Sequence, residues 1–162
     1  MSLYEPGTTL INGPDHVLKL ITVPYINPTM NQYVKQKWIT ALRSGEYKQT
    51  GGRLREGDCY CCLGVLTDLY DKDIQNDHHE WYEEDGHYVY TSDGGTVEAT
   101  LPESVMKWAD LDEPNPVVRE DRKRYFDKKL EELGEQLTSL AYLNDNEGLD
   151  FNQLADIIEA QL

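Results

Sequence analysis

A chain of 162 residues has the size of one domain, and 39% hydrophobic with 10% aromatic residues excludes a disordered polymer despite a mean hydropathy of -0.65. The net charge of -15, from 30 acids against 15 bases, argues against duplex nucleic acid as a partner, because phosphate binding needs Lys and Arg to release counterions. No apolar run approaches the roughly 20 residues that span a bilayer, and the first residues lack a basic start leading into an apolar stretch, so a cytoplasmic protein without a membrane segment is expected.

Residues 1–28, punctuated by Pro6-Gly7, Gly13-Pro14, Pro24 and Pro28, predict an extended arm with one strand at HVLKLITV. From Asn27-Pro28-Thr29, which supplies a cap and a first-turn proline, MNQYVKQKWITALRS sets Val34, Trp38 and Leu42 on one helical face until Gly45 stops it. EYKQTGGRLREGDCY, broken at Gly51-Gly52 and Glu56-Gly57, reads as a short hairpin. CCLGVLTDLYDK follows as a largely buried helix, with Leu63, Leu66, Leu69 and Tyr70 at helical spacing and Asp58 upstream as its cap.

In WYEEDGHYVYTSDGGTVEATL, Tyr88 and Tyr90 share a strand face and Asp93-Gly94-Gly95 turns the chain, which predicts a second hairpin. Leu101-Pro102 opens a short helix bearing Val105, Met106, Trp108 and Ala109, closed by the prolines of DLDEPNPVV. Leucines and aromatics from Glu120 to Leu143 recur as in one long helix. A last helix begins at an Asp150-to-Gln153 capping box and carries Leu154, Ile157, Ile158 and Leu162. The sum is an α+β fold, a compact single domain over 29–162, helix-dominated with two small antiparallel hairpins.

The segments KWITALRSGEYKQTGGRLREGDCYCCLGVLTDLY, LPESVMKWADL and LAYLNDNEGLDFNQLADIIEAQL resemble a family of small proteins encoded by tailed bacteriophages. The resemblance covers residues 35–70 and 101–162 in pieces and implies a phage accessory context. The acidic stretch from Asp71 to Glu98 is the portion least like that family.

The charge is segregated along the chain. Residues 68–103 hold eleven acids and one base, and residues 130–162 hold eight acids and no base, whereas the rest is slightly basic. Two contact surfaces follow from this. Trp81, Glu83 and Glu84, with Glu80, Tyr82 and Asp85, offer a charged aromatic patch to a basic host protein. Arg43, Lys48, Arg53 and Arg55, with Trp38 or Tyr47 to stack a base, offer a pocket for a nucleotide or other small anion. Against both stands the plain role of charge in solubility.

Three cysteines within four positions, Cys59, Cys61 and Cys62, are too close for a disulfide framework and indicate reduced thiols. At a helix start Cys61 or Cys62 would be an activated nucleophile, with His87 as base and Asp93 or Asp68 to orient it. The competing assignment makes both small core residues. No metal site is expected: adjacent Cys61 and Cys62 diverge at a helix start, and His78-His79 reads as a solvated loop. NDNEGLDFNQLADII fails the calcium-loop pattern, with Gly148 one place late and Gln153 where the closing Glu belongs. No cofactor is called for.

The expected function is a non-enzymatic phage accessory protein that binds and blocks a host factor through residues 71–98 or 43–55. The alternatives are a cysteine-dependent hydrolase or transferase, and a protein that sequesters a nucleotide signal.

Overall fold

The computed structural model describes residues 8–12, 18–22, 30–120 and 136–162. Two strands lie in the first part of the chain, β1 (Thr8–Asn12) and β2 (Leu18–Thr22), paired antiparallel with Leu10 opposite Leu20. The second lies inside the expected run, and the first was not foreseen because TTLIN is too short to show a period.

Helix α1 spans Gln32–Arg43 and begins at Asn31, whose side chain accepts the backbone N–H groups of Tyr33 and Val34. The cap therefore falls later than the expected Asn27-Pro28-Thr29, which lies outside the described residues. Val34, Trp38, Ile39 and Leu42 are buried along one face, and Gly45 leaves the helix in the left-handed region at φ 76°.

The segment expected to be one hairpin yields three two-residue strands: β3 (Lys48–Gln49), β4 (Arg55–Glu56) and β5 (Cys59–Tyr60). β4 and β5 form the hairpin, while β3 runs parallel to β5. Helix α2, Cys62–Ile74, is capped by Cys61 rather than Asp58, with the sulfur accepting from the Gly64 N–H at 3.4 Å. Its first turn presses on the backbone of Leu54, just ahead of β4. A Cβ on Gly64 would lie 1.7 Å from the Leu54 carbonyl oxygen, so only glycine fits.

Strands β6 (Glu80–Glu84), β7 (His87–Ser92) and β8 (Gly95–Val97) form an antiparallel meander. The two expected hairpins are not separate units. Arg55 pairs with Tyr88, joining them into one sheet of order β3-β5-β4-β7-β6, with β8 also on β7. Isolated two-stranded ribbons are marginal in water, and this fusion lets both share the buried face against α2.

Helix α3 (Glu103–Ala109) follows Pro102 and buries Val105 and Ala109. The long helix expected from Glu120 to Leu143 is overturned at both ends. β9 (Val117–Glu120) pairs antiparallel with β10 (Gln136–Ser139), and a separate helix, α4 (Leu140–Asp145), starts at Ser139, whose hydroxyl accepts from the Tyr142 N–H. Leu137, counted on the apolar stripe, is 73% exposed. The Thr138-Ser139 pair favours strand and cap over helix interior, and a leucine period alone does not register it. Residues 121–135 of that run lie outside the described residues.

Helix α5 (Phe151–Gln161) has the expected capping box, with Asp150 and Gln153 exchanging side-chain and backbone bonds at 2.8 and 2.9 Å. It packs along α1, and together with α2, α4 and the buried face of the sheet it closes a mixed α and β core around Trp38, Leu63, Leu66, Leu143, Leu154 and Ile158.

Candidate functional site

The thiols at the α2 start are core atoms. Cys61 is 3% exposed and Cys62 fully buried, and the Cys62 thiol faces the Leu140 carbonyl at 3.8 Å. Burial pushes the Cys61 thiol up to about 11 and the Cys62 thiol well above its ordinary value, the reverse of what an activated nucleophile needs. The helix-start donors that hold them, Gly64 and Leu63, pull the Cys61 value down by less than burial raises it. His87 is not brought to them. Strand alternation turns it away from the face on which the Tyr90 hydroxyl meets Asp71 of α2, and its Nε2 lies 3.2 Å from Glu98. Asp68 does not orient it either, being surrounded by Tyr47, Trp81 and Lys72. The fold therefore gives these cysteines the packing role weighed against catalysis in the sequence.

The basic segment is similarly spent inside the molecule. Arg43 forks between Asp156 and Glu159 of α5 at 2.7 and 2.8 Å, Arg53 meets Glu98 at 3.2 Å, and Lys37 pairs with Asp73. Trp38 donates its indole N–H to the Cys62 carbonyl at 2.9 Å and is wholly buried, so it is no stacking platform. Tyr47 donates to Asp68 at 2.7 Å, and burial followed by that carboxylate raises its phenol to about 12. Lys48 is exposed on β3. These residues do not converge on an anion pocket, because each guanidinium or ring already has a partner of the right chemistry.

Arg55 is held differently. Its guanidinium lies 3.9 Å from the Tyr88 ring centre, with Tyr60 at 5.2 Å and Trp81 at 5.5 Å, and its Nε–H reaches the Gly57 carbonyl at 2.9 Å. Trp81 is thus an inward anchor. It donates to Asp68 at 3.2 Å and meets Tyr60 and Tyr90 edge-on, which pins β6 to α2. Asp68, 6% exposed, accepts from Tyr47, Trp81 and Lys72 together, and it holds the Lys72 ammonium well above the usual range.

The remaining side chains of β6 and its turn face water. Tyr82 is 56% exposed, and Glu80, Glu83, Glu84 and the turn residue Asp85 are exposed beside it. Among the described strands β6 ends the sheet, paired with β7 alone, so its outer backbone groups are open. No Lys or Arg occurs from residue 73 to 106, and among the described residues Glu80, Glu83 and Glu84 form no ion pair, the nearby Arg55 being held on the Tyr88 ring. What assembles is an acidic sheet edge with one exposed tyrosine, on a foundation of buried aromatic rings.

The histidine pair divides. His78 is exposed, but His79, read from sequence as a solvated loop, is 7% exposed and stacked on Tyr70. Among the described residues no group of three or more His, Cys, Asp or Glu is arranged to hold a metal ion. None of the described helices is long and apolar enough to cross a membrane.

A family model for a domain of unknown function, DUF8296, matches residues 30–162. Neither the curated proteins nor the solved structures contain a match to the chain.

Proposed function

Because the chain belongs to the DUF8296 family, whose description assigns no activity, we propose from its surface that it is a non-enzymatic binding protein whose acidic sheet edge recognises a basic partner protein. The observation that carries this reading is the open β6 edge, bearing Glu80, Glu83 and Glu84, none of them in an ion pair among the described residues, with exposed Tyr82. A strand edge supplies main-chain bonds to an extended segment, and the carboxylates steer a basic one towards it. The likeness of the sequence to tailed-bacteriophage proteins supports a setting in the cytoplasm of an infected cell, where such a protein blocks a host factor. Three free thiols suit that reducing compartment. In this reading residues 29–162 act as one helix-dominated domain, with residues 1–28 as an arm.

Charge on an edge strand also prevents a sheet from pairing with copies of itself. The triple variant Glu80→Lys/Glu83→Lys/Glu84→Lys separates the roles, since lysines guard an edge as well as glutamates do but repel a basic partner. Affinity isolation from a bacterial host lysate is expected to retain a basic protein on the wild-type chain, with binding that weakens as salt rises. The triple variant should keep its unfolding temperature and lose that protein. Equal retention by the variant, or no basic protein on the wild type, refutes the reading.

A further inference from the structure

A cleft of about 680 Å³ opens between α2, α3 and the turn from β7 to β8. That volume lies within the roughly 300–1,000 Å³ typical of small-molecule sites. Its apolar wall is aromatic: Tyr70 and Trp108 meet edge-on with ring centres 5.5 Å apart. Beside them the His79 ring meets the Tyr70 hydroxyl through Nδ1 at 2.9 Å, and its Nε2 accepts the Asp93 backbone N–H at 3.4 Å with the Asp93 carboxylate 3.2 Å away. This chain of contacts fixes Asp93 at the mouth, although its side chain is 81% exposed.

A second carboxylate is brought to the same mouth by close packing. A Cβ on Gly94 would lie 3.2 Å from Glu103 Oε2, so the turn that carries Asp93 packs directly on Glu103. The ammonium in the lining, Lys107, is already paired with Glu103 at 2.6 Å. In the wall, the Ser104 hydroxyl is buried without a hydrogen-bond partner among the described residues, and a bound donor would satisfy it. The surrounding chain from residue 73 to 106 holds no Lys or Arg, and a cleft focuses such a field on whatever enters.

We propose that this cleft binds a small organic cation with a flat apolar body, the amidinium or ammonium between Asp93 and Glu103 and the ring against Trp108. An anion would meet the Asp93 carboxylate and a Glu103–Lys107 pair with no net charge to offer it, and a neutral ring would leave Asp93 unused. A cation gains charge-assisted hydrogen bonds and a contact with the indole face. This binding is independent of the partner assigned to β6, and either can fail without the other.

Benzamidine tests the proposal, with benzoate and benzyl alcohol as charge controls, by calorimetry and amide NMR on the full chain. Benzamidine is expected to shift the amides of Asp93 and Gly94 and the indole N–H of Trp108. Asp93→Asn/Glu103→Gln should weaken it about tenfold or more, as expected for lost charge-assisted bonds. Lys107→Met, which frees Glu103, should tighten it. These three side chains are 60 to 81% exposed, so the fold is not at stake. The proposal is overturned if benzoate or benzyl alcohol binds as tightly, if no shift appears at those residues at saturating benzamidine, or if the double amide variant binds undiminished.

Discussion

The start of α2 and the β6–β7 hairpin are pinned to each other through Asp68 and Trp81, yet they are opposites in how they treat polar atoms. At the helix start the thiols, the Trp38 indole, the Asn144 amide and the backbone around Cys62 are dry and mutually satisfied. On the hairpin the carboxylates of Glu80, Glu83 and Glu84 and the outer edge of β6 face water. The difference teaches that residue types with reactive chemistry are not the site when the fold spends them on packing. In the proposed function, residues of bland type become the site because the fold leaves them open.

The strongest way to break the comparison is at Gly64. Gly64→Ala drives a methyl into the Leu54 carbonyl, and it should cost on the order of 4 kcal/mol or abolish folding, read from urea unfolding. An unchanged midpoint would show that the α2 start is not closely packed. Asn144 is next, because its amide receives the Cys62 N–H and the Gln49 side chain and donates to the Thr50 carbonyl. Asn144→Ala leaves those groups unpaired, and the same unfolding assay should register a loss of about 2–4 kcal/mol.

Alkaline titration sharpens the contrast without mutation. Cys61 and Cys62 hold their protons more tightly folded than unfolded, so the unfolded chain releases them first as pH rises. Stability from this source is complete below the ordinary thiol value of 9.0 and is lost as pH climbs towards about 11, with Tyr47 extending the loss towards about 12. The unfolding temperature should therefore fall above pH 9, and a flat profile from 9 to 11 would contradict the buried thiols. The smallest effect belongs to Arg43→Gln. It loses two exposed ion pairs, and its shift in unfolding temperature should vanish at high salt.

Much of the scaffold was legible in the sequence because its signals are local. The α1 stripe of Val34, Trp38 and Leu42, the Asp150–Gln153 capping box and the Asp93-Gly94-Gly95 turn all appear where spacing and side-chain chemistry put them. The helix expected over 120–143 failed because leucine spacing is blind to strand pairing with a distant segment, here β9 with β10. The site was less legible. Trp81 and Tyr82 are neighbours in sequence, but only the sheet decides that one faces Asp68 and the other solvent. His79 and Asp93 are fourteen residues apart with no motif between them, and no sequence signal marks the cleft they share.

The sequence by itself determined the acidity, the segregation of charge along the chain, the helical faces and most turns, because composition and short-range periodicity are properties of the chain before it folds. Tertiary structure alone decided which charges remain exposed. Folding carried Arg43 to Asp156 and Glu159, Arg53 to Glu98 and Lys37 to Asp73, pairs separated by 36 to 116 residues. Opposite charges on packed elements neutralise each other at close range. The β6 carboxylates found no such partner among the described residues, which leaves them open to the basic partner proposed for this edge.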